Sequence, residues 1–388
     1  MSLYVLKFGG SSVATTTRIK HVAEIIASFI RARHQVVVVT SAMQGVTNQL
    51  IELTGAFSTS PINREYDTVV STGEQVAAGL LAMALNSEGL YSQSMTSWQI
   101  PIYVQGDYSD AGITKVSTEK IFKLLEKGII PVITGFQGIS DTGDIYTIGR
   151  GGSDATACAV AKAINADECL IYTDVDGVYT ADPRVVLNAR RLDEVSYDDM
   201  IELAYWGAKV LQTKSTQIAK NYGVKLRVLS SFAESKGTQI IHQTPYNLGT
   251  QVTGIAHSLD YFAIYFADDN FKQLLQPFSV MIREYADIIL IAKAIQTEIQ
   301  TIVSDSGTNA KFDNDVGTVT VVCEAPDLVH KMLSRSGIYN KHEIKHKLLH
   351  ERSMTFVVPY QQTIPLMTEL HEYCIIKPNQ DGSRKISM

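Results

Sequence analysis

The sequence contains few cysteines, and no two of them stand at the CxxC spacing that binds metal or exchanges disulfides. The four cysteines, Cys158, Cys169, Cys323 and Cys374, are scattered along 388 residues. This distribution indicates reduced, packed thiols and not a disulfide framework. We therefore expect a cytoplasmic protein, with a catalytic thiol as the less favoured alternative.

Long apolar runs and a strong charge of one sign are also missing. No stretch reaches the ~18 uninterrupted apolar residues of a membrane helix, and the N-terminus does not resemble a secretory signal. The formal net charge is −6, so the sequence offers no basic surface for nucleic acid. Hydrophobic residues make up 45% and charged residues 19%, which is typical of a soluble globular protein. We expect neither nucleic acid nor a membrane as a partner.

The hydrophobic pattern changes character near residue 240. Before it, buried-strand patterns alternate with amphipathic helix patterns, which predicts a mostly parallel sheet sandwiched by helices. The clearest strands are predicted at Leu3–Phe8, Gln35–Thr40, Ile129–Thr134 and Glu168–Thr173, and helices at Glu74–Asn86, Val116–Lys127, Asp154–Asn165 and Ala208–Asn221. After residue 250, short strands and brief helices predict small α+β modules. We place a linker at 243–249, which gives domains 1–245 and 250–388.

A lysine, two glycines and two hydroxyl residues follow one another at the end of the first predicted strand: Lys7, Gly9, Gly10, Ser11 and Ser12. Glycines let the backbone approach a phosphate, and the N-terminus of a following helix presents free N–H groups. Lys7 adds a compact cation for β- and γ-phosphate oxygens. The sequence lacks the Walker A pattern GxxxxGK[ST]. The alternative is a tight strand–helix turn with a surface lysine.

A second glycine-rich segment, Gly149–Asp154, stands at a predicted helix start. Ser153 or Asp154 can cap this helix, which a purely structural loop would also explain. A structural loop would not explain Arg150, whose flanking glycines clear space around the guanidinium. Its planar fork of donors suits bidentate binding of a carboxylate. The segment therefore predicts a carboxylate site.

Three further segments follow predicted strands or open predicted helices. The loop Tyr172–Arg184 suits a nucleotide: Asp174 for a sugar hydroxyl, Tyr179 for a base and Arg184 for phosphate. A calcium loop is the weaker alternative, because the EF-hand spacing is missing. Glu74 can bind a substrate ammonium or belong to an ordinary helix cap. The stretch 40–47 offers hydroxyls at the same sheet edge.

One histidine pattern suggests a metal. His342, His346 and His350 recur at i, i+4 and i+8, and two such histidines on a helix can bind zinc. No cysteine or helical glutamate completes a tetrahedral set. We therefore predict an exposed helix face and no protein metal site.

Six motifs, taken together and in order, resemble the aspartate kinases of the amino acid kinase family. They are KFGGSSV, VVVTSAMQGVTNQL, STGEQVA, IGRGGSDATA, YTDVDGVYTADPR and LAYWGAKVL. The match covers nearly all of residues 3–240 and is far more specific than any one motif. The C-terminal third resembles the paired ACT-like regulatory modules of the same family, most closely in VTGIAHSLDYFAIYF, and the likeness fades beyond about residue 300.

The resemblance implies ATP-dependent phosphorylation of the aspartate side-chain carboxylate to 4-phospho-L-aspartate, the first step towards lysine, threonine, methionine and diaminopimelate. The implied ATP contacts are Lys7, Gly9, Gly10, Ser11, Thr173, Asp174, Tyr179, Arg184 and Lys209. The implied aspartate contacts are Ser41, Thr47, Glu74, Arg150, Gly151, Gly152 and Ser153. The implied catalytic residues are Lys7, Asp154 and Lys209.

The chemistry of this reaction agrees with the residues. An aspartate side chain, with a pKa of about 4, is ionised at neutral pH, so no general base is needed. The site must align the reactants and neutralise charge on the transferring phosphoryl group. Lys7, Lys209 and a Mg²⁺ ion carried by the nucleotide would do this.

The sequence also departs from the family pattern. Ser11 stands where many relatives have threonine, and Gln212-Thr213 stands where His-Pro is common. The turn that usually frames an effector amino acid is hard to find in the second module, so we expect weak or absent inhibition by lysine. We expect a homodimer or a dimer of dimers through the C-terminal modules. The alternatives are a kinase for glutamate, N-acetylglutamate or a nucleotide, and a catalytically silent amino acid sensor.

Overall fold

The computed structural model describes residues 1–57, 63–242, 252–265, 269–276, 278, 282–285, 288–306 and 310–376. The chain divides into two compact units. The first contains Met1–Val178, Arg191–Ala204 and Lys209–Pro245, and the second contains Tyr179–Arg190, Tyr205–Ala208 and Tyr246–Met388. The predicted linker 243–249 lies outside the described residues.

An eight-stranded sheet forms the centre of the first unit. Its strands are β1 (Leu3–Phe8), β2 (Gln35–Thr40), β3 (Ser92–Met95), β6 (Ile130–Thr134), β9 (Glu168–Thr173), β10 (Glu194–Ser196), β11 (Leu226–Ser230) and β12 (Thr238–Ile241), in the order β10-β12-β11-β9-β1-β2-β6-β3. The β11–β12 pair is antiparallel and the other neighbours run parallel. The predicted fold class is therefore confirmed.

A smaller sheet and the helices complete the first unit. The small sheet contains β4 (Ile102–Gln105), β5 (Gly112–Val116), β7 (Gln137–Ile139) and β8 (Ile145–Thr147). The helices are α1 (Thr16–Arg31), α2 (Val46–Gly55), α3 (Arg64–Val70), α4 (Thr72–Ser87), α5 (Glu119–Glu126), α6 (Gly152–Ala163), α7 (Tyr197–Tyr205) and α8 (Thr213–Tyr222). The small sheet and the helices α2, α3 and α7 were not predicted.

The central strands are covered on both faces, as their continuous apolar runs require. Leu6 and Val38 pack with α1 and α4 in one core cluster that includes Ile26 and Leu81. Because side chains alternate along a strand, Val5 and Lys7 face the opposite side, where α6 packs against β1 and β9. The sheet alternation therefore turns Lys7 towards the start of α6.

One helical stretch, Arg64–Ser87, is long and apolar enough by composition to cross a membrane. Half of its most apolar window is buried inside the protein, where α4 packs against α1, β3 and β6. Core helices of soluble proteins meet the same criterion, so the stretch is weak evidence for a membrane span.

The second unit contains two four-stranded antiparallel sheets. One orders β13 (Val252–Ser258), β18 (Gly317–Cys323), β20 (Ser353–Val358) and β19 (His346–Leu349), and the other orders β15 (Ile282–Glu284), β16 (Ile289–Ala292), β14 (Tyr261–Tyr265) and β17 (Lys311–Asp313). The helices are α9 (Asp269–Leu274), α10 (Gln296–Ser306), α11 (Pro326–Ser336), α12 (Ile338–Lys341) and α13 (Thr363–His371). This arrangement agrees with the predicted α+β modules.

Two segments that we predicted in the first domain pack with the second unit instead. Ala181 and Val186 belong to its core cluster, together with Phe356 of β20. Trp206 is buried and its ring stacks at 15° to that of Tyr285. Apolar side chains on segments remote in sequence decided this packing.

Two local predictions were wrong. The helix predicted from Ala208 begins at Thr213, which leaves Lys209 in a turn. The histidine repeat is not one helix: His342 follows α12, whereas His346 lies in β19. The side chain of His342 is also only 8% exposed, and its ring nitrogens contact Gln362 and Glu369 at 2.8 and 2.7 Å.

Candidate active site

A cleft of about 650 Å³ opens in the first unit, beside the carboxyl ends of β1, β2 and β6. The predicted residues that line it are Lys7, Gly10, Ser41, Thr47, Glu74, Arg150, Gly151, Gly152, Ser153 and Asp154. The structure thus brings together all seven predicted aspartate contacts and two of the three predicted catalytic residues. Ligands of parallel sheets bind at this edge.

Lys7 lies near the end of β1 and is almost fully buried. Its Nζ approaches Oδ1 of Asp154, in the first turn of α6, at 2.5 Å. The same Oδ1 has no hydrogen-bond partner among the described residues. The contact is therefore an ion pair whose angles do not meet the geometry of a hydrogen bond. The alternative of a surface lysine is therefore wrong. Asp154 holds the lysine ammonium against the cleft.

Glu74 is a buried carboxylate in the first turn of α4. Its Oε1 accepts a hydrogen bond from the backbone N–H of Ala42 at 3.0 Å, whereas Oε2 has no partner in the described part of the chain. Burial raises the pKa of Glu74 to about 7, although the Ala42 N–H and the charge of Lys7 act in the opposite direction. An unpaired buried oxygen beside a cleft suits a ligand cation such as an ammonium group.

Arg150 lies on the loop between β8 and α6. Its side chain is exposed and has neither an ion-pair nor a hydrogen-bond partner among the described residues. A free guanidinium fork at the mouth of a cleft is available for a ligand carboxylate. The structure therefore presents an unpaired cation and an unpaired carboxylate oxygen to one cleft.

The glycines around Arg150 allow a particular backbone conformation and close packing, whereas we predicted that they clear space around the guanidinium. Gly149 and Gly151 have φ angles of 78° and 74°, in the left-handed region that favours glycine. A Cβ atom at Gly152 would lie 2.8 Å from the ring of Phe136. Gly151 is also the N-cap of α6, so Ser153 and Asp154 lie inside the helix and do not cap it. The glycines permit a tight turn and close packing.

Three hydroxyl residues complete the acceptor side of the cleft. Ser41 follows β2 and its backbone N–H bonds the carbonyl of Phe8 at 3.0 Å. Thr47 lies in the first turn of α2, and Ser153 in that of α6. Helices that begin at the cleft thus direct polar groups into it.

Part of the predicted nucleotide set gathers at the same edge. β9, β1 and β2 are neighbours, so Asp174, Gly9 and Ser41 follow three adjacent strand ends. Gly9 donates its N–H to the carbonyl of Tyr172 at 3.0 Å, and Thr173 is the last residue of β9. The helix after the glycines begins at Thr16, with Thr15 as its cap.

The remaining nucleotide candidates are Ser11, Lys209, Tyr179 and Arg184. Ser11 is half-buried in the turn after β1, and Lys209 is exposed before α8. Tyr179 and Arg184 belong to the second unit. The guanidinium of Arg184 pairs with Asp182 through bonds of 3.0 and 2.8 Å. The roles of these residues at ATP stay predictions.

Sequence reasoning missed several cleft residues, among them Tyr66 of α3, Ser109 and Phe136. Phe136 has a φ of 68° and follows β6 and Gly135. An aromatic residue just after a glycine at the end of a buried strand was a usable signal for it. Tyr66 and Ser109 carry no comparable local signal, because they reach the cleft only through tertiary packing.

A protein-held metal was not predicted. Within the described ranges, no three histidine, cysteine, aspartate or glutamate side chains come together as a metal centre requires. A metal that arrives with the nucleotide stays a prediction.

Comparison with known proteins identifies the family of the chain that forms this cleft. Residues 2–230 match the model of the amino acid kinase family. An aspartate kinase of Stutzerimonas stutzeri is 46% identical over 261 residues, which cover 67% of this chain and 63% of that protein. An aspartokinase of Geobacillus stearothermophilus is 35% identical, and the alignment covers 96% of this chain and 97% of that protein.

The fold agrees with these sequence matches. A crystal structure of E. coli aspartokinase III in complex with aspartate and ADP superimposes with a TM-score of 0.78 at 21% identity. It covers 95% of this chain and 99% of that one. Together, the family match and the end-to-end relative show that this chain belongs to the amino acid kinase family and, within it, to the aspartokinases.

Proposed function

We propose that this protein transfers the γ-phosphoryl group of ATP to the side-chain carboxylate of aspartate and releases 4-phospho-L-aspartate and ADP. The observation that carries the proposal is the single cleft that holds a free guanidinium, a buried unpaired carboxylate oxygen and a buried lysine. An amino acid has an ammonium group and carboxylates, which these groups complement.

Each cleft residue has a defined task in this reaction. Oε2 of Glu74 accepts a hydrogen bond from the ammonium group of aspartate, and Arg150 binds one of its carboxylates. Lys7 stabilises the negative charge that develops on the transferring phosphoryl group, and Asp154 keeps the lysine in place. The acceptor carboxylate is already ionised, so the cleft supplies alignment and charge neutralisation.

The nucleotide is proposed to contact Gly9, Gly10 and Asp174 at the edge of the sheet, with Ser11, Thr173, Tyr179, Arg184 and Lys209 as further contacts. Mg²⁺ bound to ATP would neutralise phosphate charge. Lys209 would add a second cation to the transition state.

The regulatory and cellular statements are proposals of the same kind. We propose a cytoplasmic homodimer, or a dimer of dimers, that associates through ACT-like modules of the second unit. It would serve the first step of the aspartate-derived amino acid pathway, with weak or absent inhibition by lysine alone. Analytical ultracentrifugation of the full chain tests the assembly, and cooperative inhibition by sub-millimolar lysine would contradict the regulatory part.

A coupled assay of ADP release tests the activity. The purified chain, ATP and Mg²⁺ are expected to turn over with aspartate, and hydroxylamine is expected to trap the acyl phosphate. Glutamate, N-acetylglutamate and a nucleoside monophosphate serve as alternative acceptors. Faster turnover with one of them would assign another kinase, and no turnover with binding of amino acids would indicate a silent sensor.

A further inference from the structure

The side chain of Arg150 depends on its backbone for its position. Among the described residues it has no partner, and it stands between two glycines in the left-handed conformation. Glycine adds conformational freedom to a loop, so other contacts must hold this segment. The contacts that do so involve the two residues before Gly149, which are Thr147 and Ile148.

Asp67 of α3 holds the first of these residues. Its Oδ2 accepts hydrogen bonds from the backbone N–H groups of Thr147 and Ser109 at 2.7 and 2.9 Å. Its Oδ1 accepts one from the Thr147 hydroxyl at 2.8 Å. The Asp67 side chain is fully buried. Burial raises the pKa of Asp67, while the donors from Ser109 and Thr147 act in the opposite direction.

These bonds join three segments around the cleft. A Cβ atom at Gly149 would lie 2.9 Å from the carbonyl oxygen of Ser109, so the Ser109 loop packs directly against the turn that carries Arg150. Nζ of Lys214 contacts the carbonyl of Ile148, the next residue, at 3.1 Å. Asp67 and Lys214 therefore both support the backbone before Gly149.

Asp67 is also connected, through its own helix, to the part of the cleft that contains Glu74. The helix α3 that carries it ends at Val70 with Ser71 as its C-cap, and α4 with Glu74 begins at Thr72. Gln137 donates a hydrogen bond to the carbonyl of Ser71 at 2.8 Å, which fixes this junction. The consecutive helices α3 and α4 thus carry both Glu74 and Asp67, which holds the loop of Arg150.

We propose that Asp67 is a positioning residue that sets the separation between Arg150 and Glu74, and thereby the affinity and chain-length selectivity for the amino acid acceptor. The inference rests on the proposed function and deepens it. Asp67 touches neither reacting group. Its effect reaches the acceptor through Thr147 and Ser109, so it should change acceptor binding far more than nucleotide binding.

The test uses the full chain with Asp67→Asn, which replaces one acceptor oxygen by a donor facing other donors. The KM for aspartate is expected to rise about tenfold or more, the scale of losing hydrogen bonds to a buried charged group. The KM for ATP is expected to stay within about twofold, and the preference for aspartate over glutamate in kcat/KM is expected to fall. A residue that only stabilised the fold would not separate the two substrates.

The matched control is Asp144→Asn. Asp144 also joins α3 to the β7–β8 hairpin, through an ion pair of 2.7 Å with Arg64, but this pair is partly exposed. Exposed pairs contribute little, so the aspartate KM of this variant should match that of the original chain. If Asp67→Asn does not fold, Thr147→Val removes only the hydroxyl donor and should raise the aspartate KM by about two- to fivefold.

The outcomes for the variants and for the original chain together test the proposal. A selective rise in the aspartate KM of Asp67→Asn, or of Thr147→Val, supports the proposal. An unchanged aspartate KM in a folded variant, or an equal rise for both substrates, overturns it. The original chain distinguishes the proposed function from the positioning role of Asp67. If it turns over aspartate, the variants test only the role of Asp67. If it neither turns over nor binds aspartate or glutamate by calorimetry, both the proposed function and this inference fall.

Discussion

The acceptor half and the nucleotide half of the predicted site are assembled differently. Every predicted aspartate contact lines one cleft of the first unit. The predicted ATP contacts divide between the units: Gly9 and Asp174 lie in the first, whereas Tyr179 and Arg184 lie in the second. Residues at neighbouring strand ends are brought together by the sheet itself, whereas a long loop can leave its sheet and pack elsewhere.

The two halves also differ in their charge pairing. In the acceptor half, Arg150 and Oε2 of Glu74 have no partners within the described residues. In the nucleotide half, Arg184 is already paired with Asp182, and its side chain is 75% exposed. Unpaired groups gain most from a ligand, because an existing partner must first be given up. We therefore expect the largest effects of substitution in the acceptor cleft.

Lys7→Met should give the largest effect. Removal of one preorganised cation from the phosphoryl site is expected to lower kcat by about 10²- to 10³-fold. It also leaves Asp154 without its buried partner, so the melting temperature is expected to fall. The ADP-release assay, run below the melting temperature, measures the fall in kcat. The control is Lys162→Met, which replaces an exposed lysine of α6. Near-normal turnover would remove Lys7 from the site.

Glu74→Gln should stabilise the protein above neutral pH. The folded pKa of Glu74 is about 7 against 4.5 for the unfolded chain, so the native state binds more protons between these values. Its stability therefore falls as pH rises through this window, by about 3 kcal/mol in total. The variant does not lose this free energy of unfolding as pH rises. Its stability relative to the original chain should therefore be unchanged near pH 4.5 and reach its full increase above pH 7.

Urea unfolding at pH 5 and pH 8 measures this gain. Glu88→Gln, at the exposed C-terminal end of the same helix, should leave the pH profile unchanged. The Glu74 variant should also bind aspartate more weakly, since its amide cannot neutralise an ammonium group. Equal stability changes at both pH values would show that Glu74 is not strained by burial.

Arg150→Lys keeps the charge but loses the planar fork. Aspartate affinity is expected to fall about tenfold, since charge-assisted hydrogen bonds are lost, while ATP affinity stays within about twofold. Calorimetry measures both, with a non-hydrolysable nucleotide present for the aspartate titration. Equal weakening of the two ligands would count against Arg150 as the carboxylate clamp and would weaken the division between the halves.

Arg184→Gln should give the smallest effect. Because Arg184 is exposed and paired with Asp182, we expect the KM for ATP to rise only about two- to threefold, with the aspartate KM unchanged. Arg335→Gln, another exposed arginine of the second unit, is the control. A rise in the KM for ATP that exceeds the fall in aspartate affinity of Arg150→Lys would contradict the expected order of effects. It would make the loop of the second unit a principal ATP contact.

Local sequence determined much of the first unit. Runs such as Gln35–Thr40 and Glu168–Thr173 are strands with the predicted bounds, because a continuous apolar run fits a strand that is covered on both faces. Glycine and hydroxyl motifs directly after such strands predicted which residues reach the cleft. The parallel order of β9, β1 and β2 then requires their carboxyl ends to meet at one edge.

The pairing of the charges and the unit that holds each loop depend instead on packing between segments that are remote in sequence. Nothing in the sequence pairs Lys7 with Asp154, 147 positions away, or leaves Oε2 of Glu74 buried without a partner. The sequence also placed Tyr179 with the first domain, whereas the apolar Ala181 and Val186 draw its loop into the core of the second unit. Periodicity and turn chemistry act over a few residues, but burial and ion pairing depend on neighbours that only the folded chain supplies.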